Sequence, residues 1–446
     1  MPDSVDAKKE RYLFFLNHSP EWLKIIEKTI NEAVDKGYCV EILWESLFAK
    51  KLFEQHFPRI RSQILPGLTL NHCKNDIDIF EHPSYAYSCE IDRWKDWGIA
   101  VPGQNELDTY FSSSAAKILH MYDNFQQETY FIYEKPSSLI YFIIQSLNKK
   151  GFKVFYRGLS HGRSPGLLEI HSELDLKNYF FGMIRPPYKS SGYSQMHSEP
   201  VYLKKNSNRH LLKGYINSEK LRRFILSLFF RRSSFQLLNA PISYFGFFKN
   251  RLKRNIASMF FKYDDVPDGE FALFPLHFVP EASTSLYSWW ISSQYELIKT
   301  LAKSLQPNIK LVLKPHIVNV GKNYHLLNDL RLNHPNVAVI SPHNVNDTLL
   351  SKAKLCLTIN STMIFDCLKY KVPVVYFGSG PYPNTNYCKR AEVNYNLPSI
   401  IDFVSDQVVP DSAIYEWLAY YEQHCWKANF GVESVFDCII TTTSNH

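Results

Sequence analysis

The strongest constraint on the fold is a regular alternation of short apolar strands and amphipathic helices between residues 271 and 377. Five segments predict strands, namely FALFPLHFVP, NIKLVLKPH, NVAVIS, KLCLTI and VPVVYFG. Segments with apolar residues at helical spacing lie between them, and the first is predicted as one helix that begins near Leu286. This alternation is typical of a parallel sheet covered by helices, so we predict a doubly wound α/β domain.

The N-terminal part has the same rhythm. RYLFFLNH and YCVEILW predict strands, and the helix between them begins at Ser19 and Pro20 and ends at Gly37. Further strands are predicted from TYFIYEKPSS and FKVFYRGL. Because 446 residues exceed what one hydrophobic core usually supports, we predict two Rossmann-like, doubly wound domains that face a cleft.

The sequence divides into four segments. Residues 1–200 are predicted as an acceptor-side domain and 263–410 as a nucleotide-sugar domain, joined by a basic aromatic linker over 201–262. Residues 411–446 are predicted as a helical segment that packs back across the domain interface.

The linker is the most basic part of the chain. It carries fourteen Lys and Arg against the single acid Glu219, and its cations alternate with large aromatics. This pattern fits the anionic inner leaflet of a membrane, or an inter-domain helix pair that packs its Phe face on the protein. Nucleic acid is not favoured, because the aromatics cluster as in LSLFF. The membrane-facing candidates are Arg222, Arg223, Arg231 and Arg232.

Targeting and redox features are few. The N-terminus lacks an apolar signal-peptide core, and no stretch approaches the roughly 18 apolar residues of a spanning helix, so a cytoplasmic location is expected, with peripheral attachment to the inner membrane through the linker. The eight cysteines are scattered without a CxxC pair. We therefore expect reduced thiols and no structural metal.

Polar residues follow three predicted strands of the second domain. Each cluster has a structural interpretation, since a strand-end histidine is often structural and hydroxyls often cap helices. Carboxyl ends of neighbouring parallel strands meet at one edge of a sheet, however, and ligands of doubly wound sheets bind there. Together the clusters predict a nucleotide-sugar site that contains Glu281, Ser283, Thr284, Lys314, His316, Asn360, Ser361 and Thr362.

These motifs resemble a known family. FPLHFVPEASTS, SSQYELIKTLAKSL, LVLKPHIV and SPHNVNDTLLSKAKLCLTINSTMIFDCLKYKVPVVYFGSGPY are similar, in order and spacing, to bacterial capsule polysaccharide biosynthesis proteins, which include the retaining β-Kdo transferases of the GT-B fold. The resemblance covers Phe274 to Tyr382. It implies a GT-B-like glycosyltransferase whose C-terminal domain holds the nucleotide.

The resemblance also implies roles for three residues. His316 is similar to the histidine of the family's His-Pro motif, which binds the donor phosphate, and Ser361 and Thr362 are similar to its hydroxyl motif. Two departures are visible. Ile317 stands where the family has proline, and the acidic Glu-Asp-Gly-Phe motif of the Kdo transferases is absent, with RGLSHGRSPG at the comparable position. The donor sugar and the catalytic carboxylate therefore stay open.

The N-terminal domain should supply the catalytic carboxylate, with Glu134 as first candidate and Glu169 as second. His316 completes the catalytic set by stabilising charge on the leaving nucleotide. Arg157, His161 and Arg163 could hold a sugar carboxylate, which suits an acidic donor such as a CMP-Kdo type of sugar nucleotide. No Asp-x-Asp motif follows a predicted strand, so we expect neither metal nor cofactor.

The predicted activity is transfer of a sugar from a nucleotide donor, a CMP-sugar being favoured, to a glycan or lipid-linked acceptor of a bacterial surface polysaccharide. One alternative is a polyol-phosphate transferase of the teichoic-acid type. Another is a non-catalytic protein that binds glycan or membrane and assembles a synthesis complex.

Overall fold

The computed structural model describes residues 11–17, 30–31, 34–35, 37–44, 54, 61–64, 129–133, 144, 147, 153–159, 167–171, 244–279, 284, 287–422, 424 and 426–427. These residues form two sheets, one from the N-terminal half with a short C-terminal strand and one from residues 271–390.

The first sheet has seven strands in the order β13-β6-β5-β4-β1-β2-β3. Its strands are β1 (Arg11–Asn17), β2 (Tyr38–Trp44), β3 (Arg61–Ile64), β4 (Thr129–Tyr133), β5 (Lys153–Leu159), β6 (Leu167–His171) and β13 (Trp426–Lys427). The five strands from β3 to β5 are parallel, and β6 and β13 pair antiparallel at one edge. Tyr38 and Val40 of β2 are buried and Cys39 between them is exposed, as the alternation of a strand requires.

The second sheet has six parallel strands in the order β12-β11-β10-β7-β8-β9. They are β7 (Phe271–Pro275), β8 (Lys310–Lys314), β9 (Val337–Val339), β10 (Leu355–Thr358), β11 (Val374–Tyr376) and β12 (Cys388–Arg390). The first strand lies in the middle, the next two lie on one side of it and the last three on the other. This is the order of doubly wound nucleotide-binding sheets, and its topological switch point lies between β7 and β10.

Helices connect these strands and extend beyond them. They are α1 (Tyr244–Phe260), α2 (Gln294–Ser304), α3 (Tyr324–Asn333), α4 (Asn346–Leu350), α5 (Met363–Lys369), α6 (Leu397–Ser405) and α7 (Ala413–Glu422). Among the described helices, none is both long and apolar enough to cross a bilayer.

Strand β7 shows why the second sheet is covered on both faces. Phe271 and Leu273 belong to one apolar cluster, together with residues of α5 and α7. Ala272 and Phe274 belong to the opposite cluster, together with residues of α2, α3 and α6. Since successive side chains of a strand point to opposite faces, an uninterrupted apolar run is the pattern expected of a central parallel strand.

The α/β prediction for the second domain is therefore confirmed, and five of its six strands lie where the sequence predicted them. The helix predicted from about Leu286 is wrong at its start, because α2 begins only at Gln294. Ser293 has an extended backbone and its Oγ accepts a hydrogen bond from the backbone nitrogen of Tyr295 at 3.2 Å, as an N-cap does. Residues 287–290 form a turn before it.

The prediction of a helix from 411 to about 430 is wrong at its C-terminal end. Helix α7 ends at Glu422, and Trp417 and Tyr421 pack in the apolar cluster of the six-stranded sheet. The chain then joins the other sheet by strand pairing, since Trp426 of β13 lies opposite Leu168 of β6. Within the described residues of this segment, the pairing with the N-terminal sheet is made by the backbone of β13.

Three of the described cysteines support the expectation of reduced, buried thiols. Cys356, Cys367 and Cys388 are buried as free thiols in one apolar cluster. Burial raises the pKa of the Cys367 and Cys388 thiols above the ordinary value, so they stay protonated at neutral pH.

Candidate functional site

The candidate site lies at the switch point of the six-stranded sheet, where β7 and β10 end side by side. Strand β7 ends at Pro275 and is followed by Leu276 and His277. Strand β10 ends at Thr358. Ile359 follows it, and then come Asn360, Ser361 and Thr362, which are called the NST motif below. In sheets of this order, ligands bind outside the strand ends at this crevice.

His277 joins the two strand ends. Its Nε2 lies 3.3 Å from the backbone nitrogens of both Ile359 and Asn360, and 3.2 Å from the Thr358 Oγ1. Backbone N–H groups can only donate, so Nε2 accepts and the ring proton lies on Nδ1. The imidazole therefore fixes the first turn after β10 by accepting from its main chain.

The charge state of His277 follows from its surroundings. Burial lowers the pKa of this imidazole and the nearby His316 contributes to the same shift, so that the pKa is about 4. At neutral pH the ring is thus uncharged, which is the form that can accept through Nε2. No residue in this role was predicted from the sequence, although the quoted LFPLHFVP segment contained it.

The backbone of His277 is also held from the other side. Its nitrogen donates to the Gln294 Oε1 at 3.0 Å, and its carbonyl accepts from the Asn319 Nδ2 at 3.3 Å. Gln294 is the first residue of α2, and Asn319 ends the 3-10 turn Ile317–Asn319 that follows β8. Elements on both sides of β7 therefore position this one histidine.

Lys314 and His316 lie at the end of β8, as predicted. The carbonyl of Lys314 accepts from the backbone nitrogen of Leu276 at 2.9 Å, which brings the end of β8 against the end of β7. The Lys314 ammonium donates to the side-chain oxygen of Asn346, and burial lowers its pKa to about 8. The His316 ring lies 6.0 Å from the Phe278 ring, between their centroids.

The NST motif follows β10. Asn360 is buried and its Nδ2 donates to the carbonyl of Ser379 at 2.6 Å. The Ser361 Oγ accepts from the backbone nitrogen of Met363 at 3.1 Å, so this hydroxyl does cap the start of α5. Thr362 occupies the N-cap position with helical backbone. The capping interpretation of the serine is therefore correct, and its O–H hydrogen can still donate to a ligand.

The loop after β11 packs closely on the same asparagine. A Cβ at Gly378 would lie 2.7 Å from the carbonyl oxygen of Ile359, and one at Gly380 would lie 2.8 Å from the Asn360 Oδ1. Glycine is thus required at 378 by the close approach of the Ile359 backbone, and at 380 by the side chains of Asn360 and Tyr382. No residue of this loop was among the predicted site residues.

Trp290 and Arg390 form a further pair at this end of the sheet. The Trp290 indole nitrogen donates to the carbonyl of Phe377, just after β11, at 3.0 Å. The Arg390 guanidinium, on the last residue of β12, lies 5.2 Å from the centre of the Trp290 ring. This cation–π pair was missed because β12 was not predicted.

The other predicted site residues have these locations. Thr284 has helical backbone and is half-buried. Arg157 lies within β5, and Glu169 lies in β6 opposite Gly158 of β5. The remaining candidates lie outside the described residues: Glu134, His161, Arg163, Arg222, Arg223, Arg231, Arg232, Glu281 and Ser283. Within the described residues, no group of three or more His, Cys, Asp or Glu side chains is placed to hold a metal ion.

Comparisons with known proteins give the following. No protein-family model and no curated protein matches the sequence. Among solved structures, the chain is similar to the β-Kdo 2,7 transferase KpsC of Thermosulfurimonas dismutans, at 12% identity over 92% of this chain and 99% of that chain, with a TM-score of 0.36.

Two further similar structures bind sugar nucleotides. One is UDP-GlcNAc 2-epimerase of Neisseria meningitidis bound to UDP-GlcNAc, at 14% identity over 98% of this chain and 100% of that chain, with a TM-score of 0.29. The other is HepE of Anabaena in complex with UDP-glucose, at 11% identity over 97% of this chain and 99% of that chain, with a TM-score of 0.33. All three TM-scores lie below 0.5, and the doubly wound fold of the second sheet follows from its own strand order.

Proposed function

We propose that this chain is a metal-independent glycosyltransferase of bacterial surface polysaccharide synthesis. It would transfer a sugar from a nucleotide donor, a CMP-sugar being favoured, to a glycan or lipid-linked acceptor in the cytoplasm. The observation that carries the proposal is the linkage of three strand ends through His277. Its Nε2 contacts Thr358 at the end of β10 and the backbone nitrogens of Ile359 and Asn360 after it, and its carbonyl accepts from Asn319 after β8. Such a junction at a switch point suits a nucleotide ligand.

The donor phosphate would be bound by cations and hydroxyls from two strand ends. Lys314 has three N–H donors, one of which is used by Asn346, and at pH 7 its pKa of about 8 leaves most of it protonated. His316, Ser361 and Thr362 would add donors to the phosphate oxygens. Thr284, with Glu281 and Ser283, would contact the ribose, base or sugar.

The chemistry would take place between this phosphate site and the N-terminal sheet. The bond between the anomeric carbon and the phosphate oxygen breaks, and a new bond forms to the acceptor oxygen. The nucleotide leaves as an anion stabilised by His316 and its neighbours, while a carboxylate acts as base or nucleophile. Glu134 and Glu169 are the candidates, and Arg157, His161 and Arg163 would hold a carboxylate on the donor sugar.

Ligand-induced stabilisation tests the nucleotide site. The melting temperature is measured with CMP, CDP, UDP and GDP in turn. We expect CMP to raise it, because a ligand that binds only the folded state stabilises that state. His316→Ala and Ser361→Ala should each weaken that binding about tenfold or more, since each removes a hydrogen bond to a charged group. The matched controls His343→Ala and Ser351→Ala change exposed residues of the same types and should bind like the wild type. Unchanged nucleotide binding and polymer synthesis in both site variants would refute the transferase proposal.

Product analysis separates the transferase from the polyol-phosphate alternative. In the absence of acceptor, slow donor hydrolysis should release the nucleotide with a free sugar. Release of CMP with glycerol phosphate from the corresponding polyol donor would instead assign the teichoic-acid type of transfer.

A further inference from the structure

Helix α1 has an inner face that rests on the six-stranded domain. Asn250, Arg254, Ala257 and Ser258 are half-buried on this face. The turn before α3 approaches it so closely that a Cβ at Gly321 would lie 1.9 Å from the carbonyl oxygen of Arg254. The backbone of α1 therefore packs directly against the turn before α3, where only glycine fits at position 321.

The opposite face of α1 presents apolar side chains to solvent. Leu252, Ile256, Met259 and Phe260 are 60%, 46%, 79% and 83% exposed. They follow the spacing i, i+4, i+7 and i+8, which at 3.6 residues per turn places them in an arc of about 100°. A contiguous exposed apolar stripe of this kind marks an interaction surface.

The charges along this stripe have one sign. Lys249 and Lys253 are exposed and lie within or beside the same arc, and α1 contains two arginines more and no acidic residue. An exposed apolar stripe bordered by cations is complementary to an anionic lipid surface, where the apolar side chains enter the interface and the ammonium groups meet the head groups.

A second copy of this chain is a poorer occupant. A two-fold pairing of the stripe with itself would bring the lysines of both copies to one interface, and juxtaposed like charges oppose association. Two acidic residues nearby, Asp264 and Asp265, lie beyond the helix. Asp264 is itself engaged, because its Oδ2 accepts from the backbone nitrogen of Val339 at 2.8 Å.

We infer that the outer face of α1, formed by Lys249, Leu252, Lys253, Ile256, Met259 and Phe260, docks this protein on an anionic membrane surface. Docking through α1 would also position the six-stranded sheet, because hydrogen bonds hold the segment after α1 against that domain. The Arg331 guanidinium donates to the carbonyl of Lys262 at 2.6 Å, and the backbone nitrogen of Asp264 donates to the carbonyl of Val339 at 2.8 Å. The segment after α1 is thus fixed to α3 and β9.

This inference is independent of the proposed transferase activity, because vesicle binding requires no sugar donor. It also concerns different residues from the four arginines predicted earlier, which remain unchanged in every variant of the test. Vesicle binding and sugar transfer are therefore measured in separate experiments, and either can fail without the other.

Vesicle flotation with the full chain tests the inference. We expect binding to vesicles that contain about one third phosphatidylglycerol in phosphatidylcholine and much weaker binding to phosphatidylcholine alone. The double variant Met259→Gln/Phe260→Gln should bind roughly tenfold or more weakly, since it removes the two most exposed apolar side chains. Lys249→Gln and Lys253→Gln should each reduce binding about fivefold, and high salt should reduce binding of the wild type.

Matched controls use exposed residues away from α1. Val408→Gln and Lys352→Gln change an exposed apolar side chain and an exposed lysine and should bind like the wild type. Circular dichroism should show the same fold for every variant, because all the changed side chains are exposed. The inference is overturned if the wild type does not bind anionic vesicles, or if Met259→Gln/Phe260→Gln binds as tightly as Val408→Gln. Concentration-dependent dimerisation through α1 without vesicle binding would assign the face to a second copy and overturn it as well.

Discussion

The Nε2 atom of His277 lies 3.3 Å from the backbone nitrogen of Asn360, 83 residues further along the chain, and accepts a hydrogen bond from it. The two residues follow β7 and β10, the strands on either side of the switch point. A single neutral imidazole therefore closes the sheet edge at the place where a nucleotide would bind. Its removal should affect stability and ligand binding together.

We predict that His277→Phe lowers the free energy of unfolding by roughly 1–3 kcal/mol, because a ring of similar size leaves the buried N–H groups of Ile359 and Asn360 without their acceptor. Nucleotide affinity should fall as well, because the turn that carries Ser361 and Thr362 loses its anchor. His277→Gln offers an acceptor oxygen and should recover part of both. Urea unfolding and nucleotide titration measure the two effects, and a His277→Phe protein as stable as the wild type would contradict the role.

The same histidine should make stability depend on pH. Its pKa is about 4 in the fold and about 6.5 in an unfolded chain, so between these values the unfolded state binds a proton that the folded state does not. Stability should thus fall as pH decreases from about 6.5 to about 4, by about 3 kcal/mol in total, and this contribution should not change further below pH 4. His316 is the titratable group that faces the ring.

A comparison of variants isolates this contribution from other titrating groups. The free energy of unfolding of wild type and His277→Gln is measured at intervals from pH 7 to pH 4. The wild type should be the more stable protein at pH 7, and its advantage should shrink and then reverse towards pH 4, because only the wild type loses the contribution of about 3 kcal/mol. Parallel pH profiles would show that His277 is not buried in the neutral form.

The role of His277 could not be predicted from the sequence, although the strand that precedes it could. FALFP is apolar throughout, which is the pattern of a central strand with both faces buried. The histidine acquires its role only because β10 lies next to β7, and those strands are more than 80 residues apart. Residue pattern indicates strands and helices, whereas strand order depends on contacts between distant segments.

Short edge elements were missed for a related reason. Strand β12 has three residues, Cys388–Arg390, of which two are half-buried and polar, so its apolar pattern is too short to indicate a strand. The two residues of β13 take their structure from pairing with β6, a partner in the other half of the chain. The strand-end positions of Lys314, His316 and the NST motif were predicted correctly, because the ends of apolar strands are visible in the local pattern.

We predict that Gly378→Ala destabilises the protein by roughly 1–3 kcal/mol and weakens nucleotide binding. The new methyl group would lie 2.7 Å from the Ile359 carbonyl oxygen, a backbone atom that cannot move without displacing the end of β10. Gly269→Ala is the matched control, because nothing lies within 4 Å of a Cβ there. Thermal unfolding of both variants checks the prediction, and equal melting temperatures would show that the loop after β11 can yield.

We expect Lys314 to lower the stability of the fold and to strengthen nucleotide binding. Burial lowers its pKa to about 8, which means that the charged ammonium is disfavoured in the fold at pH 7. Replacement by an apolar side chain of similar length, Lys314→Met, should therefore raise the free energy of unfolding at pH 7 by about 1–3 kcal/mol, after the loss of the Asn346 hydrogen bond is included. The same variant should bind the donor nucleotide roughly tenfold or more weakly, because a cation at the phosphate is lost.

The stability difference between the wild type and Lys314→Met should also depend on pH. Between about pH 8 and about pH 10.5 the unfolded chain keeps a proton on Lys314 that the folded wild type has lost, so wild-type stability should rise through this range relative to Lys314→Met. Lys352→Met, at an exposed lysine, should change neither stability nor binding. A Lys314→Met protein that is less stable than the wild type at pH 7, but binds nucleotide normally, would make Lys314 a structural residue. Greater stability with weaker nucleotide binding is the result expected of a cation that is held at the strand end for its ligand.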